Sequence, residues 1–326
     1  MTFTLEQLRP LVNWVNEREA VRARRMMLDA PGWYKRTGTA RAAWGDNSAA
    51  WTPTHLTDDP IIQQYRFCNV RRQDDRVTRW IVEHISKPFA DHEHLWFMLC
   101  VARTINWPDT LETLMNGTVA WPDSPRFAPD RMTLLLENRK AHGDKVYTGA
   151  YMIRAESDPA KPWYSWTKQR YIAEVVLGEL WEDRGAFNRA FAYRQQTIQG
   201  TWETLQQYTG WGPFMAYQAV VDMRWTRYLC DAPDINTWAA LGPGSRRGLN
   251  RLAGRPVGHP LRQEEGLAEM LEIRALINQP GALAPWVPTP LDLSDVQGCL
   301  CETDKHLRVT NGEGRPRARY VPGRGS

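Results

Sequence analysis

The side chains best suited to chemistry fall into separate clusters along the chain. Glu302, Asp304, Lys305 and His306 follow closely on Cys301. A thiol becomes a nucleophile when neighbouring groups stabilise its thiolate, and among Cys68, Cys100, Cys230, Cys299 and Cys301 only Cys301 has such company. The other reading of Cys301 is a small buried apolar residue. In the run 64–80 a helix would place Arg66, Asn69, Arg72 and Arg76 on one stripe, with Ile61, Tyr65, Trp80 and Ile81 anchoring the other faces. Guanidinium groups so arranged could grip phosphate oxygens. The alternative is a solvated face laced by pairs such as Arg72 with Asp75 or Asp75 with Arg79. His84, His92, Glu93 and His94 match no zinc-ligand spacing, and Cys299-x-Cys301 lacks a second pair, so no metal site is expected.

The most specific local signal is the segment from Leu205 to Asp222, which contains Thr209-Gly210-Trp211-Gly212-Pro213. One helix ends near Thr209, two glycines permit a tight turn, and Pro213 opens a second helix at the position where its missing N–H costs nothing. Ala216 is small where the two helices would meet. This spacing matches the helix-hairpin-helix of DNA repair enzymes, whose hairpin N–H groups and following helix hold a DNA phosphate without reading sequence. An ordinary helical hairpin is the alternative. Further on, Gly242-Pro243-Gly244-Ser245-Arg246-Arg247-Gly248 could present N–H groups and two arginines to a phosphate. It is not a nucleotide-binding P-loop, because the Lys-Ser/Thr after the last glycine is missing. Asp222, in the second hairpin helix, reads as a cap or an ion-pair partner.

The elements that must position these residues are helical wherever periodicity is readable, as at Leu5, Leu8, Leu11 and Trp14, or from Tyr171 through Trp181. Strand-like alternation is scarce. Residues 30–60, with Trp33, Tyr34, Trp44 and Trp51, read as a long ordered loop, and 107–129 as a second irregular stretch. Pro280, Pro285, Pro288 and Pro290 interrupt the helical pattern. The expected organisation is a helical body over 1–284, with its hairpin at 201–222, and a C-terminal extension over 285–326 ending in a basic tail. That tail carries Lys305, Arg308, Arg315, Arg317, Arg319 and Arg324, and either touches DNA or is simply solvated.

The chain has 326 residues, 42% of them hydrophobic, enough for a large core. With 41 basic and 37 acidic residues the net charge is +4, so any contact with nucleic acid must be local. Sixteen tryptophans exceed what such a core requires, and each is either buried or available to stack on a base. Five scattered cysteines suggest no disulfide framework, no signal peptide opens the chain, and no apolar run approaches the roughly 20 residues of a membrane span. A monomer in a reducing cytosol, without membrane contact, is the expectation.

Taken in order, several motifs resemble the phage amino acid:DNA transferases, also described as α-glutamyl/putrescinyl thymine pyrophosphorylases. These are similar to the helical domain attached to some 5-hydroxymethyluridine DNA kinases. The matching residues are Tyr65-Arg-Phe-Cys-Asn69 with Arg72 and Asp75-Arg76, Ala102-Arg103 with Asn106-Trp107, and Gly149-Ala-Tyr151-Met152. The Gly210 hairpin, Gly242-Pro-Gly-Ser245, and Cys299-Leu-Cys-Glu302 with Asp304-Lys305 complete the set. Thr303 departs from the pattern, where an aromatic residue would be expected.

The resemblance implies a mainly all-α fold of the two-lobed, helix-hairpin-helix DNA glycosylase type with long ordered loops. It implies displacement of phosphate or pyrophosphate from a phosphorylated 5-hydroxymethyl group on DNA uracil by the amine of an amino acid or polyamine, with no cofactor and no metal. The partners would be double-stranded DNA bearing that base, the free amine and a DNA kinase, in the cytoplasm of an infected bacterium. Asp234, at the spacing after the hairpin where glycosylases carry an aspartate, would be the general base, with Glu302 or Asp304 orienting the amine beside Lys305. Arg66, Arg72, Arg76 and Arg103 would hold the phosphate, and Asn69, Asn106 and Tyr151 the base. Gly210, Gly212, Gly242, Gly244, Ser245 and Arg246 would contact DNA. A base-excising glycosylase using Asp234, a non-catalytic DNA-binding partner of a kinase, and a helical protein with merely solvated arginines are the competing readings. The absence of lysine between Glu182 and Asp304 argues against a lyase variant of the glycosylase.

Overall fold

A computed structural model describes residues 3–29, 51–117, 127–149, 153, 155–192, 196–316 and 318–320. In chain order the helices are α1 (Arg9–Asp29), α2 (Pro60–Gln64), α3 (Arg76–Ile81), α4 (Leu95–Ile105), α5 (Pro108–Asn116), α6 (Pro129–Ala141) and α7 (Lys168–Arg170). They continue as α8 (Gly178–Glu182), α9 (Arg184–Ala192), α10 (Ile198–Leu205), α11 (Pro213–Met223), α12 (Pro243–Leu252), α13 (Gln263–Ile277) and α14 (Leu293–Thr310). The described residues form no β-strand, only the isolated bridges Thr52 to His55 and Tyr65 to Arg319. The chain is therefore mainly helical, and no helix is long and apolar enough to cross a membrane. Two compact units form: Met1–Arg76 with Asn236–Ser326, and Val77–Ile235.

In the first unit α14 packs on α12, α1 and α13. Asp292 starts α14 by accepting from the Asp295 N–H at 2.9 Å. The close approach of α12 to α14 follows from two glycines one turn apart. A Cβ on Gly244 would overlap the Cys301 Sγ, and one on Gly248 the Leu300 carbonyl, so only glycine admits the neighbouring helix. The boundary expected between 284 and 285 thus falls inside this unit, since α14 is buried along Leu293, Val296, Cys299 and Leu300.

The second unit is built on α4, every residue of which is buried, as expected of a helix apolar on all faces. It packs against α11, which packs against α10. Between them Gly210 adopts φ +83° and Trp211 is buried, its Nε1 donating to the Val176 carbonyl at 2.9 Å. Gly212 and Pro213 then start α11. Much of the aromatic content is core here: Trp96 stacks on Phe187 with ring centres 4.3 Å apart, and Phe97 meets Trp181 at 5.0 Å.

Two expectations about local structure are corrected. Residues 64–80 do not form one helix: α2 ends at Gln64, the chain runs extended from Tyr65, a 3-10 turn covers Arg72–Asp74, and α3 begins at Arg76. The stripe of Arg66, Asn69, Arg72 and Arg76 is therefore absent. Backbone pairing takes precedence over helical periodicity here, as Arg66 N–H donates to the Ala318 carbonyl and Tyr320 N–H to that of Gln64. The stretch 107–129 contains the regular helix α5, for which Pro108 supplies the first turn. The expected loop 30–60 lies outside the described residues up to residue 50, as does Tyr151.

Candidate functional site

The first unit gathers ionisable groups around the extended segment Tyr65–Val70. The Cys68 N–H donates to Glu302 Oε2 at 3.1 Å, and Lys305 Nζ reaches the same oxygen at 2.8 Å. Burial would lower the Lys305 ammonium, but the charge and hydrogen bond of Glu302, together with Cys68 and Cys301 beside it, hold the group above its ordinary value. Lys305 also lies 4.6 Å from the centre of the Phe67 ring. Asn69 ties the following turn, its N–H donating to Asp75 Oδ1 and its amide to the Asp74 carbonyl, both at 2.8 Å. The Arg72 N–H donates to Asp295 Oδ1 at 3.0 Å, fastening this turn to the first turn of α14. Burial raises Asp75, against the Asn69 N–H and the charges of Arg72 and Arg18.

Helix α1 supplies two members that the sequence reading missed. Arg18 is buried and its Nε donates to the Cys68 carbonyl at 3.0 Å. Glu19 is buried beside it; Oε1 accepts from Arg22 Nε at 2.8 Å, while Oε2 has no donor. Burial raises the Glu19 carboxyl. The signal was present, because Leu11, Trp14, Val15 and Arg18 occupy one helical stripe, and a charge on an apolar stripe asks for a reason.

Asp304 is fully buried, accepting from Arg247 Nε at 2.8 Å and Arg251 Nε at 2.9 Å, so it clamps α12 to α14. Gly244 and Ser245 are buried in the same seam, Gly242 caps α12, and Arg246 is half-buried with its Nε lacking an acceptor. Burial, with Glu302 next, pushes the Cys301 thiol up to about 12, the opposite of what a thiolate nucleophile needs. Arg66 and Arg76 are exposed.

In the second unit Arg103 and Asp222 are buried together as a bidentate pair joining α4 to α11, with one contact at 2.7 Å. Arg103 also donates to Thr78 at 2.7 Å and to Asn106 Oδ1 at 3.0 Å, and Asn106 ends α4 at φ 49°. Both residues thus have structural partners, and Asp222 is an ion-pair partner as expected. The two oxygens of Asp234 accept from the N–H groups of Ile198 and Gln199 at 2.8 and 2.9 Å, where a negative charge at the start of α10 is favourable. Gly210 and Gly212 lie exposed on the hairpin.

A separate open cleft of about 760 Å³ in the first unit is lined by Asn13, Trp14, Glu17, Asp59, His306 and Thr310 among others. His306 Nε2 lies 2.7 Å from Asp59 Oδ2, and Asp59 Oδ1 caps α2. Burial works against ionisation of Asp59, but the hydrogen bonds from His306 and from the N–H groups of Ile62 and Ile61 hold its carboxyl below the ordinary value.

The architecture and this geometry define a mainly helical protein with a charged cluster where two distant segments, 65–75 and α14, meet. The model of the 5-hmdU DNA kinase helical domain matches residues 34–315, and the chain belongs to that family. A 5-hmdU DNA kinase of Bacillus phage SP10 is 24% identical over 231 residues, covering 67% of this chain and 33% of the kinase. The chain thus corresponds to about a third of the length of that relative. No solved structure matches it.

Proposed function

We propose that the chain takes part in hypermodification of phage DNA, carrying the amine of an amino acid or polyamine onto the 5-methylene carbon of a phosphorylated 5-hydroxymethyluracil. The amine nitrogen forms the new C–N bond, the C–O bond to phosphate or pyrophosphate breaks with its electron pair leaving on oxygen, and one proton passes from the amine to a carboxylate. The observation that carries this reading is the junction of Cys68 with Glu302, which sets carboxylates suited to an amine beside cations suited to a departing phosphate.

In this reading Asp75 and Glu302 face the amine, while Arg66, Arg72 and Arg76 serve the leaving group. Asp304, Arg103 and Asp234 hold helices in place, because their charged atoms are already engaged. The exposed hairpin at Gly210 and Gly212 serves a DNA phosphate, as in glycosylase-like folds, and the target base is extruded from the duplex. Membership of the kinase helical-domain family and the name of the phage relative support a hydroxymethyluracil context, in the infected cell and beside a DNA kinase.

The test is mass spectrometry of nucleosides from duplex DNA carrying phosphorylated 5-hydroxymethyluracil, after incubation with the protein and mixed amino acids and polyamines. A nucleoside heavier by one amine adduct, formed also by Asp234→Asn, is the expected result. The length of the relative favours one second reading, a module that holds DNA for a kinase; tight DNA binding with the phosphorylated nucleoside left intact would support it. Release of free base would instead indicate a glycosylase.

A further inference from the structure

Arg18 is 7% exposed in the middle of α1, and its only hydrogen bond runs from Nε to the Cys68 carbonyl. Among the described residues no carboxylate lies within the 4.0 Å of an ion pair, and its two terminal nitrogens donate to nothing. Such a residue is rare, because a buried cation is ordinarily paired. Asp75, Glu19 and Glu302 act on it only through space. Glu19 has Arg22 as an ion-pair partner at 2.5 Å, and Glu302 has Lys305 at 2.8 Å. Asp75 has no cation within that range, and its one hydrogen bond comes from the Asn69 N–H.

A cation and an anion therefore flank the same peptide unit, Arg18 held by the carbonyl of Cys68 and Asp75 by the N–H of Asn69, attracting each other without touching. The Cys68 side chain is exposed and Asp75 is half-buried, so this peptide unit lies at the edge of the core. The arrangement is complementary to a small molecule that is negative at one end and positive at the other. A polyamine offers nothing to Arg18. Inorganic phosphate offers nothing to Asp75 and is repelled by it.

We infer that Arg18 and Asp75 are the two ends of a receptor for a free α-amino acid, the guanidinium taking its carboxylate and the aspartate its ammonium. This rests on the amine-transfer reading and selects, within it, amino acids over polyamines. Arg18 can offer a carboxylate two parallel N–H donors, a geometry that Lys cannot reproduce.

The experiment is calorimetric titration of the full chain, alone and with duplex DNA carrying phosphorylated 5-hydroxymethyluracil, using each proteinogenic amino acid singly. The best binder is then compared with its carboxamide, its decarboxylated amine, putrescine and inorganic phosphate. One or more amino acids bind, and blocking or removing the carboxylate weakens binding by about 10- to 100-fold. Arg18→Lys and Asp75→Asn, checked for folding by thermal melting, weaken it similarly; the analogue series on the unaltered chain remains decisive even if a variant fails to fold. Equal binding of putrescine or of the decarboxylated amine, displacement by phosphate, or no amino-acid binding in either condition overturns the receptor. Amino-acid binding without any DNA adduct removes the transfer reaction and leaves the receptor standing, whereas an adduct formed from putrescine but from no amino acid does the reverse.

Discussion

The main-chain N–H of Cys68 and the carboxylate of Glu302, 234 positions apart in the chain, meet at 3.1 Å. The contact fixes the extended segment after α2 against the middle of α14. Because Lys305 shares the same carboxylate oxygen, the junction joins a backbone constraint to a charge pair. Loss of Glu302 leaves the part-buried Cys68 N–H and Lys305 ammonium without this acceptor.

Glu302→Gln tests this. The amide keeps an acceptor for Cys68 but loses the charge that holds Lys305. A stability loss of about 1–2 kcal/mol is expected by urea denaturation, with the yield of modified nucleoside falling by a larger factor than that loss accounts for. Unchanged yield would separate the junction from the chemistry.

The Arg103–Asp222 pair makes a different prediction. It is buried on both sides and fills no role in the proposed chemistry. Asp222→Ala should destabilise the protein by about 3–5 kcal/mol, because it strands a buried guanidinium. Replacing both partners, as Arg103→Met with Asp222→Leu, should recover most of that loss in the same denaturation assay. Failure to recover it would mean that the bonds of Arg103 to Thr78 and Asn106 matter more than the pair itself.

Helical content, the hairpin and the Pro213 start were legible because each depends on local rules: apolar period, glycine at positive φ, proline in a first turn. The break after Gln64 was not. It depends on pairing of residues 64–66 with 318–320, a contact between segments that no window contains. The candidate site was half legible. Glu302, Lys305, Asn69 and Arg72 stand out by residue type, but that Asp304 and Arg103 are consumed by partners follows only from burial. Nor does the spacing of Asp234 after the hairpin reveal that both its oxygens cap α10. Gly244 and Gly248 looked like a phosphate-binding turn; their spacing of one helical turn equally describes a helix–helix seam, which the structure displays.

That seam is testable by adding one methyl group. Gly248→Ala places a Cβ against the Leu300 carbonyl, a backbone atom that cannot swing aside, so α12 and α14 must separate. A loss of about 1–3 kcal/mol follows. Gly258→Ala, with nothing near its added Cβ, should leave the melting temperature nearly unchanged. Equal melting temperatures for the two variants would show that the helices tolerate the wider spacing.

Asp75 gives the pH dependence. Burial raises its carboxyl, with Glu302 adding to the rise and the Asn69 N–H, Arg72 and Arg18 opposing it. Because the folded state holds this proton more tightly than the unfolded chain does, stability relative to Asp75→Asn should fall as pH rises between the ordinary aspartate value and the raised one. The sign reverses for ligand. An amino-acid ammonium in contact with Asp75 favours the ionised aspartate, so binding should release a proton in that window and weaken on acidification sooner than an ordinary carboxylate would dictate. Glu302, Lys305, Glu19 and Asp74 also face the cluster, so the informative quantity is the difference from Asp75→Asn. Titration calorimetry in two buffers of unlike ionisation enthalpy measures it directly. Proton release present in the unaltered chain and absent from the variant assigns the ammonium to Asp75; identical release in both places it on another carboxylate.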